Sequence, residues 1–126
     1  VLVRQPLVVC DTGHNVGGWQ YLSRQLAQVN CHKMHIVFGM VSDKDIDTVL
    51  TLLPKDAIYY FTKAESHRAV SELTILEKAK LQNLTGGSYP SVYKAYIAAR
   101  AAAKKDDCIF VGGSSYVVGD FLKTCF

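Results

Sequence analysis

Leu7-Val8-Val9-Cys10-Asp11-Thr12-Gly13-His14-Asn15 decides how the rest of this chain is read. Leu7, Val8 and Val9 are consecutive apolar residues, the pattern of a strand buried on both faces. An acid, a glycine, an imidazole and an amide follow at once. Then Val16, Trp19, Leu22, Leu26 and Val29 recur at helical spacing through about residue 30. Polar groups at the point where a parallel strand gives way to a helix lie on the rim of an open α/β sheet, where such folds bind ligands.

Working outward, the same alternation continues. Val1-Leu2-Val3 is apolar, and Arg4-Gln5-Pro6 can turn it back onto Leu7 to Cys10 as a hairpin. A chain that starts inside a strand, with no turn before it, is expected to be a piece of a longer protein. His35 to Met40 is the next strand, and Ser42 to Asp45 is a capping-box-like start. It leads into a helix with Ile46, Val49, Leu50 and Leu53 on one face, ending at Pro54. Ala57 to Phe61 is rich in β-formers. A helix from about Ser71 to Leu81 is expected to bury Val70, Leu73, Leu76 and Ala79. Gly86-Gly87 should turn the chain into a short strand near Ser88-Tyr89, with Pro90 in the first turn of the helix that follows. That helix carries Val92, Tyr96 and Ala99 inward. Cys108 to Val111 is the last central strand, and Val117, Val118, Phe121 and Leu122 face inward from a final helix. Strands alternating with helices predict an α/β, Rossmann-like, mostly parallel sheet flanked by helices.

Composition narrows the function. The 126 residues suit one domain, and 49% apolar with 20% charged residues is ordinary for a globular chain. A net charge of +3, with basic residues scattered rather than striped, is not a nucleic-acid footprint. The longest apolar run falls far short of the ~18 residues that span a bilayer. Four separated cysteines without a C-x-x-C pair read as reduced thiols rather than a disulfide frame. The expected setting is the cytoplasm, without nucleic acid or membrane as partner.

The expected carboxyl edge of the sheet gathers Asp11, His14 and Asn15; Gly39 to Asp45; Thr62 and Lys63, with His67-Arg68 nearby; and Gly112 to Ser115. A carboxylate can accept the two hydroxyl hydrogen bonds a ribose offers, and glycine-rich turns opening helices present N–H groups to anions. Each residue also has a plainer role. Asp11 and Asn15 suit caps of the first helix, Ser42 and Asp45 a helix start, and Ser114 and Ser115 caps of the last. Lys63 and Arg68 suit solvated surface charges, and Tyr93 and Tyr96 suit packing. Cys31-His32-x-x-His35 has zinc-like spacing but lacks a fourth ligand. Neither a G-x-S-x-G elbow nor a Walker loop is present.

Several motifs carry a resemblance. Asp11-Thr12-Gly13-His14-Asn15 resembles the D-G-A-H-N motif of the folylpolyglutamate synthase and dihydrofolate synthase family, and Gly39 to Asp45 resembles its G-M-x-x-D-K-D segment. Tyr89-Pro90-Ser91-Val92, Asp106-Asp107 and Gly113-Ser114-Ser115-Tyr116 are similar to later landmarks, in the same order. Thr12 departs from the usual small residue, and His67-Arg68-Ala69 stands where relatives have Pro-Arg-Ala. Arg4 lies too close to Asp11 to be the family's upstream ATP-contacting arginine.

The resemblance implies the carboxy-terminal domain of a two-domain ligase of the Mur ligase superfamily. The amino-terminal domain, with its P-loop, magnesium ligands and most of the folate site, would be a separate partner. It implies ATP-dependent ligation of L-glutamate to a folate carboxylate through an acyl phosphate, by a monomer whose isolated domain is inactive. Asp11 and His14 would bind ATP, and His14 and Ser114 would be the candidates on the glutamate side. Asn15, Asp43, Lys44 and Arg68 are lesser loop candidates, and no catalytic or metal-ligating residue is assigned. Two other readings stay open: the same domain of a Mur peptide ligase, and a non-catalytic Rossmann-like nucleotide-binding module. A signalling form of the latter expects an acid on the third strand, which Tyr59 to Thr62 does not supply.

Overall fold

A computed structural model describes residues 3–4, 7–10, 31–41, 46–66 and 69–125. Their elements are β1 (Val3–Arg4), β2 (Leu7–Cys10), β3 (Met34–Phe38), α1 (Ile46–Leu52), β4 (Ala57–Phe61), α2 (Glu72–Leu81), β5 (Thr85–Ser88), α3 (Val92–Ala102), β6 (Cys108–Gly112) and α4 (Ser115–Cys125). The expected helix over residues 16–29 and the cap at Ser42 to Asp45 lie outside the described residues.

The strands form one sheet in the order β1-β2-β6-β3-β4-β5. The amino-terminal hairpin is as expected, with Val3 opposite Val8 and Arg4 opposite Leu7, and every other neighbouring pair is parallel. Side chains along a strand alternate between faces, so each strand feeds two cores. On one face Ile36, Phe38, Tyr59 and Phe61 pack with Ile46, Val49 and Leu50 of α1 and with Ile75 and Ala79 of α2. On the other, Val37, Tyr60, Ile109 and Val111 pack with Val92, Ala95, Tyr96 and Ala99 of α3 and with Val117 and Phe121 of α4. β3 and β6 are buried along their whole length, which is why both read as unbroken apolar runs.

Four local expectations fail for physical reasons. Gly86 and Gly87 lie inside β5 rather than in a turn before it, because a Cβ on Gly86 would collide with the carbonyl of Tyr59. Pro90 sits ahead of α3, whose cap is Ser91; its hydroxyl accepts from Lys94 N at 3.2 Å. Leu73 is 64% exposed, whereas Ile75 is buried. Two residues apart on a helix is a rotation of ~200°, so one of the pair had to face solvent. Leu122 is also exposed, one position past the buried Phe121. The turn after α2 is made by Asn83 at φ 62°, a conformation that asparagine tolerates.

Candidate functional site

All five parallel strands end on the same edge of the sheet. After β3 the chain enters α1 on one face, and after β6 it enters α4 on the other. These two strands are neighbours, with Phe38 opposite Gly112. Adjacent strands whose helices depart to opposite faces define the position where open α/β sheets hold ligands. β2 flanks β6 on its other side, and Cys10 is paired with Val111. The carboxyl end of β2, at Cys10, therefore lies one strand away from the Gly112-Gly113-Ser114 turn.

The floor of this edge is closed by backbone. Gly39 N donates to the carbonyl of Gly112 at 3.3 Å, and Thr62 N donates to the carbonyl of Phe38 at 2.9 Å. A Cβ on Gly39 would lie 2.6 Å from the carbonyl oxygen of Thr62 and 2.9 Å from Cγ2 of Val117. Gly113 adopts φ +108°, and a Cβ there would fall on the carbonyl of Gly39. Glycine is required at both places because the loops after β3, β4 and β6 interlock main chain to main chain.

Ser114 is the one candidate of the resemblance whose side chain is described. It is 1% exposed. Its hydroxyl accepts from Val117 N at 3.1 Å, so it acts as the cap of α4. A hydroxyl that accepts one bond still has a proton to donate, so capping and a ligand contact are compatible. Asp11, His14, Asn15, Asp43, Lys44 and Arg68 lie outside the described residues. Thr62 is fully buried at this edge, and its Oγ1 has no hydrogen-bond partner among the described residues. Lys63, next to it, is exposed. It helps line a cavity of about 320 Å³ with Glu65, Ser91, Tyr93 and Asp120. That cavity is partly self-satisfied, since Asp120 Oδ2 accepts from Glu65 N at 2.6 Å.

The opposite edge holds a polar cluster that sequence reading did not find. His35, 2% exposed, lies 2.8 Å through Nδ1 from the Tyr60 hydroxyl and 2.9 Å through Nε2 from Asp107 Oδ2. The same carboxylate oxygen accepts from Lys104 N at 2.9 Å. Burial pushes the Asp107 carboxyl up, but the Lys104 N–H, the His35 hydrogen bond and the electrostatic influence of the His35 and His32 rings outweigh it. The carboxyl is held below its usual range. Tyr60 is pushed up to about 12, mainly by burial and then by Tyr89 and Asp107, so it keeps its proton. One imidazole tautomer satisfies both of its neighbours: Nε2–H donates to Asp107 and Nδ1 accepts from Tyr60. His35 is thus committed to the interior through both ring nitrogens, which leaves neither of them free for a metal at the zinc-like spacing from Cys31. Among the described residues no group of three or more His, Cys, Asp or Glu side chains could hold a metal ion. The four cysteines are thiols rather than disulfides.

The strand order and crossovers define a Rossmann-like α/β domain, the architecture of ligase carboxy-terminal domains. Residues 1–115 match the family described as "Mur ligase, glutamate ligase domain". The chain belongs to that family. It is 32% identical over 126 residues to the dihydrofolate synthase/folylpolyglutamate synthase of Escherichia coli, covering 98% of this chain and 29% of the relative. E. coli FolC solved in complex with ADP, without folate substrate, superimposes with a TM-score of 0.87 at 30% identity, over 99% of this chain and 30% of that one. A bifunctional folylpolyglutamate synthase/dihydrofolate synthase with Mn, AMPPNP and L-glutamate bound gives 0.75 at 28% identity, over 92% and 28%. The chain therefore spans less than a third of the length of these relatives. No helix among the described residues is long and apolar enough to cross a membrane.

Proposed function

We propose that this chain is the carboxy-terminal domain of a folylpolyglutamate synthase, forming one wall of a cleft in which ATP drives amide-bond formation between a folate carboxylate and L-glutamate. The observation that supports this reading is the parallel pairing of β2 with β6, which sets the carboxyl end of β2, at Cys10, beside the strand that runs into the glycine-lined turn opening α4. The domain family and the folate-enzyme relatives favour this branch over a peptidoglycan ligase or a non-catalytic module.

In this reading Asp11 accepts hydroxyl protons of the ATP ribose, and His14 faces the phosphates or the incoming glutamate. Ser114 donates its remaining proton to the glutamate side, while Asn15, Asp43, Lys44 and Arg68 belong to the surrounding loops. ATP supplies the phosphoryl group that activates the folate carboxylate. In this reading magnesium is held by an amino-terminal domain. The described rim fits the nucleotide only in part, through glycine-tight loops, the unpartnered Thr62 hydroxyl and the Lys63 cation. Closing the two domains would exclude water from a reactive acyl phosphate. The enzyme acts as a monomer in the cytoplasm.

Two measurements test the reading. The chain by itself, given ATP, a folate and glutamate, is expected to release no ADP above background; clear turnover would refute the two-domain site. In the full-length polypeptide, Asp11→Ala is expected to raise KM for ATP about tenfold or more, the loss of roughly 1.5 kcal/mol from a charged hydrogen bond. An unchanged KM would remove Asp11 from the site.

A further inference from the structure

Cys31 and Cys108 are far apart in sequence and adjacent in space. Cys31, partly buried, packs against the core cluster that contains the buried Cys108. The backbones on either side are fixed. His32 N donates to the carbonyl of Asp106, Cys108 N donates to the carbonyl of Lys33, each at 2.9 Å, and Met34 stands opposite Cys108 in the sheet. The other two cysteines are elsewhere. Cys10 ends β2 opposite Val111, and Cys125 ends α4 beside Thr124.

We propose that Cys31 and Cys108 form a redox-active pair, which a small-molecule disulfide converts into a cross-link between the segment ahead of β3 and the first residue of β6. The Cys31 thiolate attacks one sulfur of the small disulfide, forming a mixed disulfide and releasing one thiolate. Cys108 then loses its proton to solvent and attacks the Cys31 sulfur, releasing the second thiolate. Two protein thiols are oxidised, and one small disulfide is reduced to two thiols.

The order of events follows from access and acidity. Cys31 is the partly exposed member. Burial, reinforced by the neighbouring Cys31 thiol, pushes the Cys108 thiol up to about 12, so Cys108 is a poor first nucleophile. Its proximity to Cys31 makes it an effective second one, because the attack is intramolecular. Closure should accelerate as pH rises, since the thiolate fraction of Cys108 grows through the whole accessible range.

The test equilibrates the protein with graded ratios of reduced to oxidised glutathione, quenches with acid, alkylates and maps peptides by mass. The expected result is paired loss of two of the four thiols and a linked Cys31–Cys108 peptide, reversed by dithiothreitol. In Cys108→Ser the glutathione adduct should instead accumulate on Cys31. A persistent Cys31 adduct in the unaltered protein would overturn the proposal, as would a cross-link to Cys10 or Cys125, or equal reaction of all four thiols. Should Cys108→Ser fail to fold, Cys31→Ser decides: it must leave Cys108 reduced at ratios that close the pair in the unaltered protein, and oxidation of Cys108 there is a negative result.

Discussion

Replacing Asp107 by alanine removes the one acceptor shared by two donors, Lys104 N and His35 Nε2, both at 2.9 Å. The group is 4% exposed, so water cannot readily take its place. A hydrogen bond to an ionised carboxylate contributes roughly 1.5–3 kcal/mol, and truncating one member of a buried polar pair costs about 3–5 kcal/mol because its partner is left unpaired. We expect Asp107→Ala to lose about 3–4 kcal/mol. The unfolding midpoint should then fall by on the order of 10–15 °C for a chain of this length. Asp107→Asn retains one acceptor oxygen and should lose about half as much. The pH dependence is fixed by the depressed carboxyl. Its contribution is fully present above the unfolded-state value of ~3.9 and is lost as pH falls from there through the lower folded-state value. Urea titrations of the unaltered and alanine proteins should therefore differ most at neutral pH and converge toward pH 2. A difference under about 0.5 kcal/mol at pH 7, the range of an inert surface change, or one constant from pH 7 to 2, would refute the reasoning.

Two further changes probe the carboxyl edge. Gly113→Ala places a Cβ on the carbonyl of Gly39 at φ +108°, and should cost more than ~2 kcal/mol in urea unfolding, with loss of soluble yield. A cost near zero would mean the two loops do not interlock. Thr62→Val removes a buried hydroxyl that has no partner among the described residues, and should be neutral or stabilising by up to ~1 kcal/mol. Destabilisation beyond that would show that Thr62 Oγ1 has a partner, and a fall in ATP affinity in the full-length enzyme would identify a ligand as that partner.

What was legible in the sequence was the part written in apolar runs. β2, β3, β4 and β6 each announce themselves by consecutive large side chains, and the buried face of α1 was read residue by residue. β5 was not, because Thr85-Gly86-Gly87-Ser88 has almost no side chain to signal a strand. Gly86 lets the main chain of β5 approach the carbonyl of Tyr59. The face of α2 was misread between Leu73 and Ile75 because leucine and isoleucine are equally apolar and only tertiary packing chooses between them. His35 stands in a zinc-like spacing that lacks a fourth ligand, and nothing local shows what it bonds instead. Its true partners, Tyr60 and Asp107, are 25 and 72 residues away, beyond any local pattern. The family was legible through motif order, and the described structure adds the capping role of Ser114 and the buried, unpartnered hydroxyl of Thr62 at the carboxyl edge.

β6 poses a register problem that apolar patterning does not solve. It is the last strand in the chain, yet it inserts between β2 and β3. In a sheet solvated on one face, a one-residue slip is penalised because it turns apolar side chains outward. β6 is buried on both faces, so a slip merely exchanges one apolar side chain for another. The polar pair supplies the missing discrimination. Moving Asp107 one position would strand its carboxylate and His35 among hydrocarbon, a penalty of several kcal/mol. Because Met34 faces Cys108 at one end of the pairing and Phe38 faces Gly112 at the other, a register fixed beside Asp107 also fixes Gly113 against Gly39. The buried histidine–aspartate contact and the glycine-lined rim are thus two ends of one alignment. Asp107→Ala should loosen both, seen as faster hydrogen exchange at the Gly39 amide, which donates to Gly112 across that rim.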